Sequence, residues 1–373
     1  MKILFAGDFS VQDRTVPLFK NTQNAAKAFE QVKEVCSKHD LSVVNFESPV
    51  TDKETPILKD GPCILNPRNS VDVLKDVGFS LFTLANNHLR DYGSEGVIDT
   101  IKACNDSGVN FVGAGKKLSD ARFPYIIKCA DKSVGVINVC ENESSIAKEN
   151  QPGANPISEI NLFYDIKELR RKVDYIVVIT HGGREHYQLP TPRMKKLYHY
   201  IIDLGADIIV NHHQHCYSGY EIYNGRPIFY GLGNFFFDRK NKRNTIWNKG
   251  LLLSVDFGDN LTFKLLPIIQ CNEELNVTVQ PFDLVATEID RLNSFIGDDE
   301  KLNDSYSKMV GKTRPLSPMQ PYIGHYIKAL YNRGYLPDAI SKSRKTTILN
   351  FIRCETHREL IIKYLEQELG DKI

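Results

Sequence analysis

Short runs of apolar, β-branched residues alternate with stretches of helical periodicity along the first 230 residues. This alternation is typical of an α/β fold, in which strands and helices follow one another along the chain. The apolar runs predict strands at residues 3–6, 41–46, 79–84, 109–112, 134–139, 175–179, 206–210 and 227–230. The helical periodicity predicts helices at residues 24–38, 70–77, 94–105, 161–172 and 192–204.

The pattern changes in the last third of the chain. Residues 251–280 alternate apolar and polar positions over longer strands, which is typical of antiparallel pairing. Beyond about residue 282 the strand pattern ends and only helical periodicity is found. We therefore predict an α/β domain over residues 1–281 and a helical C-terminal extension over residues 282–373.

Two segments lack any periodicity. Residues 141–160 are rich in Asn, Ser, Gly and Pro, and a loop of this length is often a lid or a binding loop. Residues 311–321 contain prolines and are predicted to be a linker inside the helical extension. They separate a predicted helix at 289–310 from three helical patterns that extend to residue 369.

Composition restricts the function classes. The hydrophobic fraction of 42% and the charged fraction of 25% are those of an ordinary globular protein. A net charge of +1 creates no overall electrostatic attraction to nucleic acid or anionic lipid. An anionic substrate would therefore have to be bound by a local group of positive charges. No apolar run approaches the ~20 residues of a membrane span. The apolar stretch at the N-terminus is also too short for a signal peptide. The eight scattered cysteines lack a C-x-x-C pair, and we expect a cytoplasmic protein with reduced thiols.

Polar side chains with metal-binding chemistry follow the ends of five predicted strands. Because ligand crevices form at the carboxyl ends of strands in open α/β sheets, we expect these groups to converge. Singly, each has a plain explanation as a turn former, a helix cap or a hydrogen-bonding histidine. Six of the ten histidines, however, lie between residues 181 and 215. The groups are Asp8; Glu47; Asn86, Asn87 and His88; His181; and His212, His213 and His215.

The donor types narrow the chemistry. Carboxylate, imidazole and amide groups suit Mn, Fe, Zn or Mg better than they suit thiolate-seeking ions. Two such cations bridged by one carboxylate would clamp a phosphate and activate water, and an unligated histidine nearby could protonate the leaving group. The i, i+2 spacing of His213 and His215 is compatible with a strand that presents both rings on one face.

Eight ordered segments resemble the CapA (poly-γ-glutamate synthesis) family, a branch of the calcineurin-like metallophosphoesterase superfamily. The resemblance covers about residues 1–240 and leaves the helical tail outside. Each segment is short, but their order and spacing together are highly specific. The segments are GD at 7–8, NFESPVT at 45–51, ANNHLRDYGSEG at 85–96, GAG at 113–115, HGGRE at 181–185, GAD at 205–207, HHQH at 212–215 and YGLGNFFFD at 230–238.

The resemblance implies a four-layer αββα sandwich, with two mixed β-sheets flanked by helices and a two-metal site at one sheet edge. It implies two divalent ions, with Mn, Fe or Zn expected. Asp8 and His215 would bind the first ion, Glu47 would bridge both, and Asn87, His181 and His213 would bind the second. His88 would be the catalytic histidine beside the substrate. The superfamily's Asp-x-His opening is Asp8-Phe9-Ser10 here, so the first ion would have fewer protein ligands.

Three further residues each have two possible roles. Arg184 would be a phosphate-binding fork or a member of a surface ion pair with Glu185. Asp91 would orient His88 or simply form the turn at residues 91–93. Cys216, next to His215, would be an extra ligand or a packing residue.

The resemblance and the residues together predict a metal-dependent hydrolase that cleaves a phosphoester or related anionic bond in capsule, polyglutamate or envelope-polymer metabolism. Its substrate would be an anionic small molecule or polymer. A basic patch at residues 239–243 could hold a polyanion. Two alternatives stay open: an enzyme acting on amide bonds of a glutamate-rich polymer, and a non-catalytic assembly protein whose helical tail contacts a partner.

Overall fold

The computed structural model describes residues 1–59, 61–312, 325–333, 335–336 and 342–369. The chain divides into two compact units, Met1–Asp299 and Glu300–Ile373. The predicted linker at 311–321 lies outside the described residues except for its first two, which are helical. The predicted domain boundary at residue 281/282 stays a prediction.

The first unit contains two large mixed sheets. The eight-stranded sheet has the order β16-β15-β14-β1-β2-β3-β4, with β13 also paired to β1. Its parallel strands are β1 (Lys2–Ser10), β2 (Leu41–Phe46), β3 (Leu81–Thr83), β4 (Asn110–Val112) and β13 (Asn234–Phe237). Its antiparallel strands are β14 (Lys249–Phe257), β15 (Leu261–Gln270) and β16 (Val277–Val279).

The six-stranded sheet has the order β11-β12-β10-β9-β7-β6. Its central strands β7, β9, β10 and β12 are parallel, and β6 and β11 are antiparallel edge strands. The strands are β6 (Tyr125–Cys129), β7 (Lys132–Cys140), β9 (Tyr175–His181), β10 (Ile208–His212), β11 (Tyr220–Tyr223) and β12 (Arg226–Phe229). A two-stranded ribbon joins β5 (Ala114–Gly115) to β8 (Gly153–Ala154).

Helices cover the outer faces of both sheets. The helices of the first unit are α1 (Thr22–Lys27), α2 (Glu30–Cys36), α3 (Ser70–Val77), α4 (Gly93–Ser107), α5 (Leu118–Ala121), α6 (Glu159–Leu169), α7 (Pro192–Asp203) and α8 (Asp283–Ile296). Apolar residues of α1 to α4 share one core with β1, β2 and β13. Leu169 of α6 packs on Gly135 of β7, and Tyr198 of α7 bonds Thr180 of β9 at 2.7 Å.

Aromatic contacts join the inner faces of the two sheets. The rings of Tyr175 and Phe257 lie 5.3 Å apart, and those of Phe229 and Phe263 lie 5.0 Å apart. The layer order is therefore helix, sheet, sheet, helix, and the predicted αββα sandwich is confirmed. The remaining helices are α9 (Asp299–Lys312), α10 (His325–Asn332), α11 (Lys342–Arg353) and α12 (Glu355–Leu369), which supply the predicted C-terminal helices.

Several predicted elements have different bounds. The predicted helix at 24–38 is two helices, α1 and α2, and the predicted helix at 289–310 is interrupted around Gly297. Strands β5, β6, β8, β11 and β13, each two to five residues long, were not predicted. The first strand continues to Ser10, so Asp8 lies within β1 rather than after it.

Gly7 permits a close backbone approach inside β1. The register of β1 against β2 shifts between Ala6 and Asp8, which is typical of a β-bulge. A Cβ at Gly7 would lie 1.9 Å from the carbonyl oxygen of Gly233. The same carbonyl accepts the backbone N–H of Asp8 at 3.1 Å. The missing side chain thus lets the loop before β13 reach β1 and fixes the backbone of Asp8.

We expect Gly7→Ala to lower the free energy of unfolding by roughly 1–3 kcal/mol or more, because the backbone of Gly233 must move. Urea unfolding followed by circular dichroism measures this change. Gly258→Ala is the matched control, since its nearest neighbour lies at an ordinary 3.8 Å. Equal losses in the two variants would contradict the close-approach argument.

Candidate metal centre

The predicted ligands converge where the carboxyl ends of strands from both sheets meet. Asp8 comes from β1, Glu47 directly follows β2, and Asn87 and His88 lie in the loop after β3. In the other sheet, His181 is the last residue of β9, and His213 and His215 follow β10. The structure therefore brings together side chains that are as many as two hundred positions apart in the sequence.

Asp8 is held in place by groups on both sheets. Its Oδ1 accepts a hydrogen bond from Asn45 Nδ2 at 2.8 Å, and its Oδ2 accepts the backbone N–H of His213 at 3.2 Å. Its Oδ2 also lies 3.4 Å from Nδ1 of His215. Asn45 was not singled out from the sequence, although it precedes Glu47 by two positions and thus shares its side of β2.

Glu47 is fully buried, and within the described part of the chain neither of its carboxylate oxygens has a hydrogen-bond partner. Three imidazole nitrogens lie nearby: Nε2 of His215 at 3.8 Å and Nε2 of both His88 and His181 at 3.9 Å from Oε1. An unpartnered carboxylate in such a place is costly. A cation between these groups would remove that cost, so the residues present fit a divalent metal.

The other candidate ligand atoms also lie close to one another. Nε2 of His181 lies 3.0 Å from Oδ1 of Asn87 and 3.1 Å from Nδ1 of His213. Ligand atoms of Asp8, Glu47 and His181 all lie within 4.8 Å of one another. Imidazole nitrogens pointing at one another and at an amide oxygen are the arrangement expected of ligands that share a cation.

The backbone that carries His213 and His215 is not a strand. Strand β10 ends at His212, and both histidines have positive φ angles, 93° and 54°. The spacing was compatible with a strand, but in the structure a tight turn orients the two rings instead. Non-glycine residues in this region of φ are strained, and such strain is typically retained at functional sites.

His88 is anchored by a buried charged pair. Its Nδ1 lies 2.7 Å from Oδ2 of Asp91, which leaves Nε2 directed towards Glu47. Lys59 donates to the other oxygen of Asp91, and its Nζ lies 3.2 Å from Nδ1 of His88. The backbone N–H of Ile64 also donates to Asp91, at 2.8 Å. Lys59 was missed, because its segment has no periodicity that would point to the site.

A cavity of about 770 Å³ opens beside these groups. Asn87, His88, His213 and His215 line its inner end. Arg184 also lines it, is exposed, and forms no ion pair with another described residue. Cys216 is buried, and burial raises the pKa of its thiol to about 12, so it packs as a neutral thiol.

Trp247 and Asn234 support His215. The Trp247 ring lies 4.7 Å from the His215 ring, between centroids. Asn234 Oδ1 lies 2.9 Å from Nδ1 of His215, and its Nδ2 donates to the backbone carbonyls of His215 and Trp247. Asn234 belongs to the segment at 230–238 on which the family resemblance rests, whereas Trp247 carried no signal in the sequence.

The ionisation of the site reflects burial and mutual charge. Burial and the neighbouring Asp8 raise the pKa of Glu47 well above its ordinary value. Burial and neighbouring histidines lower the pKa of His181, and they lower that of His213 to about 4. Burial alone would lower the pKa of His215, but the charges of Glu47 and Asp8 raise it to about 9. Glu47 and His215 therefore compete for a proton when no cation is bound.

The chain matches the family model "Bacterial capsule synthesis protein PGA_cap" over residues 2–239 and belongs to this family. It is 35% identical over 240 residues to the "PGA biosynthesis protein CapA" of Bacillus subtilis, which covers 63% of each chain. It is 32% identical over 248 residues to the "Capsule biosynthesis protein CapA" of Bacillus anthracis, covering 64% of this chain and 60% of that one. The match thus spans less than two thirds of the length of these relatives.

Among solved structures, a putative 5'-nucleotidase from Staphylococcus aureus aligns with 79% of this chain and 59% of its own, at a TM-score of 0.47 and 16% identity. The family assignment rests on the sequence match and not on this alignment. Within the described residues, no helix has both the length and the apolar character needed to cross a bilayer.

We expect Lys59→Met to destabilise the protein by about 3–5 kcal/mol, because it leaves Asp91 charged and buried. The double variant Lys59→Met with Asp91→Asn should lose less than the single one. Urea unfolding of both variants measures the coupling. The control is Lys53→Met, which breaks a partly exposed pair with Glu95 and should cost at most about 1 kcal/mol. A Lys59→Met loss no larger than this control would contradict a stabilising pair.

We expect divalent cations to bind more tightly as the pH rises towards about 9, the raised pKa of His215, and to gain little from this group above it. The cation must displace the proton for which Glu47 and His215 compete, so binding should release protons. Calorimetry with Mn²⁺ in buffers of different ionisation enthalpy counts them. His215→Asn should flatten the pH dependence, and an affinity independent of pH in the native protein would contradict the assignment.

Proposed function

We propose that this chain is a metal-dependent hydrolase that cleaves a phosphoester or a related anionic bond in capsule or envelope-polymer synthesis. The observation that carries this proposal is Glu47, a fully buried carboxylate with no hydrogen-bond partner among the described residues and three imidazoles within 3.9 Å. A structural carboxylate would be expected to have satisfied oxygens. A carboxylate that bridges metal ions needs no hydrogen-bond donors, because the cations would occupy their place.

In this proposal the two sheets supply complementary halves of a site for two cations. Asp8 and His215 would hold the first ion, and Glu47 would contribute to both. Asn87, His181 and His213 would hold the second. When bound, Mn, Fe or Zn would lower the pKa of water and stabilise negative charge on phosphoryl oxygens.

The chain's own groups then position and protonate the substrate. Hydrogen bonding of Nδ1 to Asp91 orients His88, so that its Nε2 faces the centre and can give a proton to the leaving oxygen. Burial lowers the pKa of His88, although the charge of Asp91 opposes this shift. The doubly protonated ring, which is the form that can donate from Nε2, is therefore a stronger acid than an ordinary imidazolium but a minor form at neutral pH. The exposed guanidinium of Arg184, at the cavity wall, can bind a phosphoryl group through two N–H donors.

The relatives are named for PGA and capsule biosynthesis, which favours a second candidate, an enzyme that acts on amide bonds of a glutamate-rich polymer. The same groups would orient an amide carbonyl and protonate the departing nitrogen. Chain-length analysis of polyglutamate incubated with the metal-loaded protein separates this reaction from phosphoester cleavage. A purely non-catalytic role is disfavoured, because every candidate ligand is present and directed to one point.

We expect metal-dependent hydrolysis of an aryl phosphate, and we expect Glu47→Gln and His213→Ala each to lose both bound metal and turnover. His88→Asn should keep the metal and lose about 10²–10⁴-fold in kcat, the usual contribution of an acid–base group. Elemental analysis and steady-state kinetics measure the two properties separately.

His199→Ala is the matched control for these variants. His199 hydrogen-bonds Glu221 at 2.8 Å and stacks on Tyr223, and it does not line the cavity. It should keep metal and turnover. If Glu47→Gln and His213→Ala left metal content and hydrolysis unchanged, the site would be misassigned.

A further inference from the structure

A basic segment, residues 239–243, lies beside the candidate metal centre. It contains four cationic residues in five positions, and three of them line the same cavity as His88. These three are Arg239, Lys240 and Lys242. The family match ends at residue 239, so nearly all of this segment lies outside it.

Both ends of the basic segment are fixed. Before it, the buried carboxylate of Asp238 accepts from Nη2 of Arg14 at 2.6 Å and from its Nε at 3.0 Å. After it, the backbone N–H of Asn244 donates to Asn272 at 2.8 Å, and Nδ2 of Asn272 donates back at 2.9 Å. The cationic side chains are therefore attached to a backbone that is already ordered, which lowers the entropy cost of binding.

The three cations have no carboxylate partner within 4.0 Å among the described residues, whereas the acidic groups of the cavity are partly engaged. Glu141 is paired with Arg193 and accepts the N–H of Gly183 at 3.1 Å. Asp13 accepts the backbone N–H of Lys240 at 2.9 Å. Glu143 and Glu185 also line the cavity. The three cationic side chains therefore form no ion pair within the described part of the chain and are available to a ligand, although carboxylates line other parts of the same cavity.

Aromatic rings connect the basic segment to the metal centre. The guanidinium of Arg239 lies 5.4 Å from the ring centroid of Phe237, and that ring lies 5.1 Å from the ring of His215. One aromatic ring therefore separates Arg239 from a candidate metal ligand. A cavity of about 770 Å³ is in the range that holds a whole small-molecule ligand, so there is room for more than one phosphate.

We propose that the basic segment 239–243 forms a second anion-binding subsite, so that the preferred substrate carries a further phosphate or carboxylate group beyond the bond that is cleaved. This inference rests on the proposed function, because it takes the first anionic group to lie at the metal centre. Arg239 can bind such a group through two N–H donors, while Lys240 and Lys242 add charge. Substrates with a single anionic group would bind more weakly.

The test compares two ligands that cannot be hydrolysed, butylphosphonate and butane-1,4-bisphosphonate, which differ by one anionic group. Calorimetry with the metal-loaded full chain gives both affinities. We expect the bisphosphonate to bind about tenfold more tightly or better, the gain of one charge-assisted contact. In the triple variant Arg239→Ala, Lys240→Ala and Lys242→Ala this ratio should fall to about one.

A second triple variant controls for net charge. Lys33→Ala, Lys128→Ala and Lys264→Ala remove three exposed cations that do not line the cavity, and they should keep the ratio. A ratio near one in the native chain, or an equal fall in both triple variants, would overturn the subsite. Hydrolysis of the aryl phosphate together with a ratio near one would leave the proposed function standing. A bisphosphonate advantage that depends on the basic segment, in a chain without hydrolysis, would support the subsite and refute the hydrolase.

Discussion

The carboxylate of Glu47 is the constraint on which the site depends. Burying a charged group without hydrogen bonds is among the costliest arrangements in a protein, and this fold surrounds it with imidazoles instead of donors from the backbone. Two sheets must pack so that the carboxyl ends of their central strands lie side by side, because Glu47 and Asp8 come from one sheet and His181 and His213 come from the other. The glycine at position 7 and the strained turn at residues 213–215 are local consequences of that requirement.

Two groups of residues surround the candidate metal centre: a buried ion pair on one side and a positively charged segment on the other. On one side, Asp91 and Lys59 form a buried pair that fixes the ring of His88. On the other side, Trp247 packs against His215 and lines the same cavity as the basic segment 239–243. Five cationic and four acidic side chains line the cavity, and three of the cations are grouped in the basic segment 239–243. In a nearly neutral chain, such a local group of cations is the feature that could attract an anionic substrate.

Much of the fold could be predicted from local patterns. The bounds of β2 and α3 agree with the prediction, because an apolar β-branched run and an amphipathic stretch ended by Gly78 are unambiguous signals. The candidate ligands were selected by their position at or near predicted strand ends, and their role as ligands stays a prediction. Strand β13 was missed. Helices α1 and α2 were predicted as one helix, because the break between them at residues 28–29 is too short to interrupt the helical pattern.

The sequence by itself determined the α/β class, the order of the motifs and the chemical types of the converging side chains, since these depend on local periodicity and on the residues themselves. Only the tertiary structure decided that Glu47 has no hydrogen-bond partner among the described residues, that Lys59 reaches Asp91 and that Trp247 packs on His215. These contacts join loops to distant strands. Their geometry follows from how the two sheets pack, and no local pattern encodes it.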